Sequence, residues 1–290
     1  MYPADFEYYR AGSVREAIDL LSTHEGAELL AGGHGLFPLM KTREHTPSAL
    51  VDIGRVDGLT GVDVQGGTVS VGALTTHADL AASEPLRDTA AALADAAGEL
   101  GDLQVRNGGT IGGNIAHADP RSDPPAALLA LGGAVHVEGP DGERTIDIDD
   151  FFAGAFETAL ADGELVTSFS IPAHGDGAAS AYVRYRNPLS GYALVGVGVS
   201  LHVDDDRVQS ARVAATGVLD APFRLDAVEA ALDGSPLDTD AVSDAAAQAA
   251  DGIDAGDVQS DVQASGEYRL GVLPTYTERA LDAAIERLDG

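Results

Sequence analysis

The chain has 290 residues, 44% of them apolar, enough to bury real cores in two domains. Its 47 acidic against 17 basic residues give a net charge of −30, which repels nucleic-acid phosphates and anionic lipid alike, and no apolar run approaches the roughly 20 residues that span a bilayer. Without cysteine it holds no disulfide, no thiol nucleophile and no cysteine-ligated iron–sulfur cluster, so any such cluster belongs to a partner.

Ser13-Val14-Arg15-Glu16 reads as a capping box before an apolar stripe of Ala17, Ile18, Leu20 and Leu21, so a helix starts there. A short strand is expected over residues 28–31, then the loop Gly32-Gly33-His34-Gly35, an apolar stretch over 36–41 and a second strand around 49–53. Alternating stretches between residues 60 and 71 flank Gln65-Gly66-Gly67 as a hairpin, and helices are expected over 76–82 and 86–100. A glycine-rich segment, 107–114, precedes a helix near 125–131. Residues 134–138 and 144–148 form a hairpin around Gly139-Pro140-Asp141-Gly142, and a strand over 165–171 ends at Pro172.

His174-Gly175-Asp176-Gly177, small and polar after that proline, is the expected boundary between a domain of residues 1–174 and one of 178–290. Beyond it lie three strands, 181–186, 193–203 and 208–217, with Asp204-Asp205-Asp206 as the turn between the last two. Helices over 225–232, 239–250 and 267–288 close the chain, Pro274 being expected to kink or interrupt the last. The N-terminal sequence lacks the regions of a signal peptide, and a cytoplasmic location is expected.

Both glycine segments sit between apolar stretches rather than in surface linkers. Adjacent glycines permit positive φ and remove Cβ, so successive backbone N–H groups can converge on an anion; two such loops suit a pyrophosphate without any basic side chain. With 35 glycines in the chain, ordinary turns remain the alternative for either loop. No Walker loop and no dinucleotide G-x-G-x-x-G fingerprint is present. His34, His77 and His117 lack the ligand spacing of a metal site, and no metal is expected; Asp119 and Asp123, each before a proline, read equally as turn or cap residues. No serine occupies a G-x-S-x-G elbow, so hydrolysis has no visible nucleophile.

These residues resemble the FAD-binding medium subunits of aerobic carbon monoxide dehydrogenase and related xanthine dehydrogenase-type molybdenum hydroxylases. The likeness rests on Leu30-Ala31-Gly32-Gly33-His34-Gly35-Leu36, Leu50-Val51-Asp52-Ile53, Gln104-Val105-Arg106-Asn107 and, most specifically, Gly109-Thr110-Ile111-Gly112-Gly113-Asn114-Ile115-Ala116-His117-Ala118-Asp119-Pro120 followed by Ser122-Asp123. Asp150-Phe151-Phe152, Tyr192-Ala193-Leu194-Val195-Gly196-Val197 and Glu267-Tyr268-Arg269 follow in order.

The resemblance implies an α+β fold: a two-subdomain FAD-binding domain of the vanillyl-alcohol oxidase type, with subdomains of about 1–56 and 57–174, then a C-terminal domain of a three-stranded antiparallel sheet with helices. It implies FAD, with Leu29, Leu30, Ala31, Gly32, Gly33, His34, Gly35 and Leu36 and the second loop Thr110, Ile111, Gly112, Gly113 and Asn114 around the pyrophosphate. It puts Asp123 at the adenosine part, Val166 near the adenine, and Leu100 and Tyr192 beside the flavin. Gly35 lacks a hydroxyl usual in the family. A lysine that touches FAD in some relatives falls near Val183, where Arg184 or Arg186 is the available replacement.

The implied work is electron transfer, with no catalytic acid or base in this chain. A small iron–sulfur subunit and a large molybdenum-cofactor subunit are the implied partners, in a heterotrimer or its dimer. The competing readings are a stand-alone flavin oxidase or reductase, which turns over without partners, and a non-enzymatic assembly module, which is never yellow.

The acidic excess, with Lys41 as the sole lysine, suggests a surface adapted to a halophile's cytoplasm. Circular dichroism should show the chain losing structure in dilute buffer and regaining it in concentrated potassium chloride, as screening relieves self-repulsion. A fold indifferent to salt would count against halophilic adaptation.

Overall fold

The computed structural model describes residues 2–288. Strand β1 (Glu7–Arg10), helix α1 (Val14–Thr23), strand β2 (Ala27–Leu30), helix α2 (Leu36–Thr42) and strand β3 (Ala49–Asp52) form a small parallel sheet of order β1-β3-β2. The central strand is buried at Ala49, Leu50 and Val51, as a parallel strand covered on both faces must be. Strand β1 is absent from the sequence expectation because its residues are polar and exposed; it is held at the edge by Tyr8 and Arg10 reaching Asp52. In the capping box Glu16 N donates to Ser13 Oγ (3.1 Å), whereas the Glu16 carboxylate reaches Gly12 N (2.8 Å) rather than Ser13 N.

The second unit is a five-stranded antiparallel sheet of order β4-β5-β10-β6-β7, built from β4 (Val62–Gln65), β5 (Thr68–Gly72), β6 (Ala134–Gly139), β7 (Gly142–Asp147) and β10 (Leu165–Pro172). The β4–β5 turn is left-handed at both Gly66 and Gly67, the pairing that a tight hairpin needs. Helices α3 (His77–Ala82), α4 (Glu84–Thr89), α5 (Ala91–Glu99), α6 (Leu103–Gly108), α7 (Ile111–His117) and α8 (Asp123–Leu131) lie between β5 and β6. A short ribbon of β8 (Phe152–Gly154) and β9 (Glu157–Thr158) precedes β10. The single helix expected over 86–100 is broken at Ala90 (φ −156°, ψ 51°), and the glycine-rich segment 107–114 comprises the end of α6 and the start of α7, with Gly109 and Thr110 extended between them.

The third unit carries β11 (Ala178–Arg186), β12 (Ala193–Asp204) and β13 (Arg207–Thr216) in an antiparallel sheet, extended by a fourth strand of two residues, β14 (Phe223–Arg224). Asp205 and Asp206 take the left-handed region in the turn to β13. Helices α9 (Asp226–Leu232), α10 (Thr239–Ala246) and α11 (Gly266–Leu288) follow. Helix α11 runs through Pro274 without interruption; Leu273, Thr277, Ala280, Leu281 and Ala284 bury one face, and that packing outweighs the one lost backbone donor.

Helix α8 joins the units. All nine of its residues are buried, and it lies against β12 and β13. A Cβ on Gly198 of β12 would sit 2.8 Å from the Ala126 carbonyl oxygen, so glycine there lets helix and strand meet. At the other side of the sheet Arg269 is fully buried and donates to the carbonyls of Leu194 (2.8 Å) and Gly217 (2.7 Å) and to Asp261 (3.0 Å). An Arg269→Met substitution strands all three acceptors and should destabilise the chain by about 3 kcal/mol, read as a lower urea midpoint at unchanged slope.

Candidate functional site

A cleft of about 680 Å³ opens where the three units meet, walled by residues from β2 through α2, from α5 through α8, from the start of β10, and by Ser190, Gly191 and Tyr192 between β11 and β12. Its first wall begins where β2 ends. Ile53 N donates to the Leu30 carbonyl (2.9 Å), Gly33 turns the chain at φ +72°, and Phe37 N closes back on Gly33 (2.9 Å) as α2 starts. A Cβ on Gly33 would lie 2.5 Å from the Phe37 ring. Between these fixed ends the backbone N–H groups of Gly32, Gly33, His34 and Gly35 donate to no protein acceptor among the described residues, although they line a water-accessible cavity.

The second glycine segment is built differently. Thr110 caps α7, its Oγ1 accepting from Gly113 N (3.3 Å), while Ile111 N and Gly112 N donate to the carbonyls of Thr75 (3.0 Å) and Ala73 (2.8 Å). Its amides are therefore largely spent on the protein, against the expectation of two equivalent amide-presenting loops. Gly112 serves proximity instead: a Cβ there would fall 2.5 Å from that of Ala73, which seats α7 on the segment that leaves β5. Gly113 forms open floor, and Asn114 Oδ1 accepts from Ser122 Oγ (2.8 Å), leaving the Asn114 amide nitrogen without a protein acceptor among the described residues.

Of the residues named from sequence, Leu29, Leu30, Ala31, Gly32, Gly33, His34, Gly35, Leu36, Leu100, Thr110, Gly112, Gly113, Asn114, Asp123, Val166 and Tyr192 all line this one cleft. Ile111 does not; it is fully buried in the core beneath it. Asp123 is also buried, its carboxylate accepting from Tyr182 Oη (2.7 Å) and Arg184 Nη1 (2.9 Å). Burial pushes it up to about 6, against the opposing pull of the Arg184 guanidinium and the Tyr182 hydroxyl. Arg184 is thus committed inside the protein, and does not stand free as a replacement for a ligand-touching lysine. Beside Val166, Glu164 is gripped by Arg144 at 2.6 and 2.7 Å, which holds its carboxyl below the usual range. Tyr192 lies under the Arg121 guanidinium (4.4 Å), and Arg121 is itself locked on Asp119 (2.9 and 2.8 Å). Asp119 also accepts from Arg121 N (3.0 Å), a turn role.

His77 and His117, two of the histidines that stood out in the sequence, line the cleft, and so does Phe156, which nothing local in the sequence marks. Phe156 is a non-glycine residue at φ +60°, pinned by its N–H on the Ala118 carbonyl (3.0 Å), and its ring meets that of His117 at 5.2 Å. His77, at the start of α3, is almost fully buried, and its Nδ1 has no partner among the described residues. Desolvation, then the charges of His34 and Arg106, push it down to about 4, so it is neutral at physiological pH. Among the described residues no group of side chains is arranged to hold a metal ion, and no helix is long and apolar enough to cross a membrane.

A cleft lined by unspent amides together with apolar side chains suits a ligand that joins an anionic group to apolar surface. Residues 4–174 match the FAD-binding domain of molybdopterin dehydrogenases, and residues 180–284 match the C-terminal domain of the carbon monoxide dehydrogenase flavoprotein. The chain belongs to the molybdopterin dehydrogenase flavoprotein family. Within that family it is 37% identical to the carbon monoxide dehydrogenase medium chain of Hydrogenophaga pseudoflava, covering 99% of each chain. It is 35% identical to the glyceraldehyde dehydrogenase medium chain of Sulfolobus acidocaldarius, covering 97% of this chain and 98% of the relative. A solved structure of carbon monoxide dehydrogenase from Hydrogenophaga pseudoflava superimposes with a TM-score of 0.93 at 38% identity, over 99% of both chains. The α+β architecture of this flavoprotein family, a FAD-binding domain followed by an antiparallel sheet with helices, is therefore that of the chain.

The burial of His77 gives this flavoprotein an acid-labile spot. Its pKa is lower in the folded than in the unfolded state, so the stability it contributes is present above about 6.5 and is lost as pH falls toward about 4. Urea unfolding across that range should show a smaller loss for His77→Phe than for the unaltered chain, the difference approaching about 3 kcal/mol.

Proposed function

We propose that the cleft holds FAD, and that the chain is the flavin subunit of a molybdenum hydroxylase complex, receiving electrons from an iron–sulfur subunit and passing them to an external acceptor. The observation that carries this reading is the set of four unspent amides at Gly32 to Gly35, lining one cleft with the glycine floor and Thr110 hydroxyl of α7. Backbone donors of that kind fit a pyrophosphate in a chain whose sole lysine, Lys41, is not among the cleft's lining residues. The residues present therefore fit the cofactor that the family implies.

On this reading Leu29 to Leu36 and Thr110, Gly112, Gly113 and Asn114 surround the pyrophosphate, while Ile111 supports them from the core. Asp123 and Val166, with Leu165 and Phe156, face the adenosine part; Leu100 and Tyr192 flank the flavin. Bound FAD supplies the chemistry, taking electrons singly from an iron–sulfur centre and returning one or two to an acceptor. The chain's own residues bind, orient and exclude water, and none needs to move a proton as catalyst. Residues 1–174 form the cofactor domain and 178–290 the domain that completes its wall.

The partners are a small iron–sulfur subunit and a large molybdenum-cofactor subunit, in keeping with the absence of cysteine here. Related medium chains belong to dehydrogenases of carbon monoxide and of glyceraldehyde, so the medium chain does not fix the substrate. A cytoplasmic complex is part of the same proposal.

Gly113 supplies the direct test. A Cβ there comes 2.9 Å from Thr110 Oγ1, so the α7 cap has to adjust, and 3.8 Å from Ala31 Cβ; a valine side chain extends into the cleft with that local adjustment. In concentrated potassium chloride, Gly113→Val should keep the far-ultraviolet circular dichroism of the parent and lose its flavin absorbance. Equal flavin content in the two proteins would remove the cofactor from this cleft.

A further inference from the structure

Arg184 touches three separate stretches of the cleft wall at once. Its side chain is 2% exposed, on β11. Nη1 donates to Asp123 Oδ2 (2.9 Å) and to the Gly191 carbonyl (2.9 Å), Nη2 donates to the Glu99 carbonyl, and Nε donates to Glu99 Oε2 (3.2 Å). Glu99 immediately precedes Leu100, and Gly191 immediately precedes Tyr192. Both Leu100 and Tyr192 line the cleft, as does Asp123.

The loop that carries Tyr192 keeps its own shape without Arg184. Asn187 N donates to the Tyr192 carbonyl (2.9 Å), Gly191 N donates to the Asn187 carbonyl (2.9 Å), and Asn187 Oδ1 accepts from Leu189 N (2.8 Å) and Ser190 N (3.0 Å). What Arg184 adds is a link between this closed loop and the end of α5. A planar guanidinium with a fixed fork of donors can hold these four acceptors, on three stretches of chain, at set separations, whereas the three donors of an ammonium group radiate from one nitrogen.

We infer that Arg184 is a positioning residue that sets the spacing between Leu100 and Tyr192, and with it the width of the slot that receives the flavin ring. The inference rests on the reading of the cleft as the FAD site. Through Arg184 the C-terminal sheet fixes one wall of a pocket that belongs mainly to the N-terminal domain, so it takes part in the site as well as in assembly.

The test uses the assembled complex carrying Arg184→Lys, which keeps a cation against buried Asp123 but cannot span the four acceptors. The expected result is a changed visible-region circular dichroism of the flavin and FAD release about tenfold faster, with far-ultraviolet spectrum and subunit composition as in the parent. A Lys variant with lowered thermal stability but parental flavin spectrum and release rate overturns the inference, leaving Arg184 a structural brace. Should that variant fail to assemble, Asn187→Ala loosens the same loop while leaving the buried Asp123–Arg184 pair intact. It must then shift the flavin spectrum in the same way, and an unaltered spectrum rejects the proposal. A parent complex that binds no FAD would instead defeat the reading of the cleft itself.

Discussion

Binding an anion inside a chain of net charge −30 is the constraint around which the cleft is arranged. Side-chain cations are scarce, and three of those near the cleft are already paired: Arg121 with Asp119, Arg144 with Glu164, Arg184 with Asp123. What is left is the peptide backbone, which carries a donor at every residue but proline regardless of the surface composition that the solvent demands. The loop from Gly32 to Gly35 keeps those donors unspent by being fastened only at its ends, at Leu30 by Ile53 and at Gly33 by Phe37. Such a site is insulated from changes in surface charge, since none of its attraction depends on a titratable group.

The rest of the structure supports that loop at a distance. Helix α7 brings Gly112 against Ala73, the residue that follows β5, so the floor of the cleft is anchored at the end of that strand. Helix α8 is buried on all sides between that sheet and the C-terminal one, and its first residue, Asp123, is the carboxylate that Arg184 and Tyr182 hold. A buried carboxylate pushed upward by desolvation is tolerated because both of its oxygens are satisfied, and those same bonds tie helix α8 to strand β11 at the edge of the cleft.

Much of this was legible in the residues. The capping box at Ser13, the hairpin at Gly66-Gly67 and the long alternating strands after residue 178 announce themselves by local chemistry, and the two glycine segments were correctly singled out as lining one cavity. What escaped was decided by tertiary context. Strand β1 has no apolar period because it is an edge, the break at Ala90 lies in a run of alanines with no local stop signal, and Pro274 is overridden by the buried face of α11. The two glycine segments look alike as strings yet do different work: one offers its amides, and the other has given them to Ala73, Thr75 and Thr110. Only the neighbours each segment meets distinguish a donor loop from a spacer. Phe156 escaped for the same reason, since its left-handed backbone follows from the hydrogen bond to Ala118, far from it in sequence.

The wall formed by Ser190, Gly191 and Tyr192 also bears on the order of events during synthesis. The glycine loop at residue 32 and the floor at residue 112 emerge from the ribosome well before the segment that completes the cleft, and β12 must pair with β11 and β13 before that segment is held. A cofactor arriving early meets an open trough rather than a slot. The closed slot therefore belongs to the finished chain, in which the C-terminal sheet is already formed.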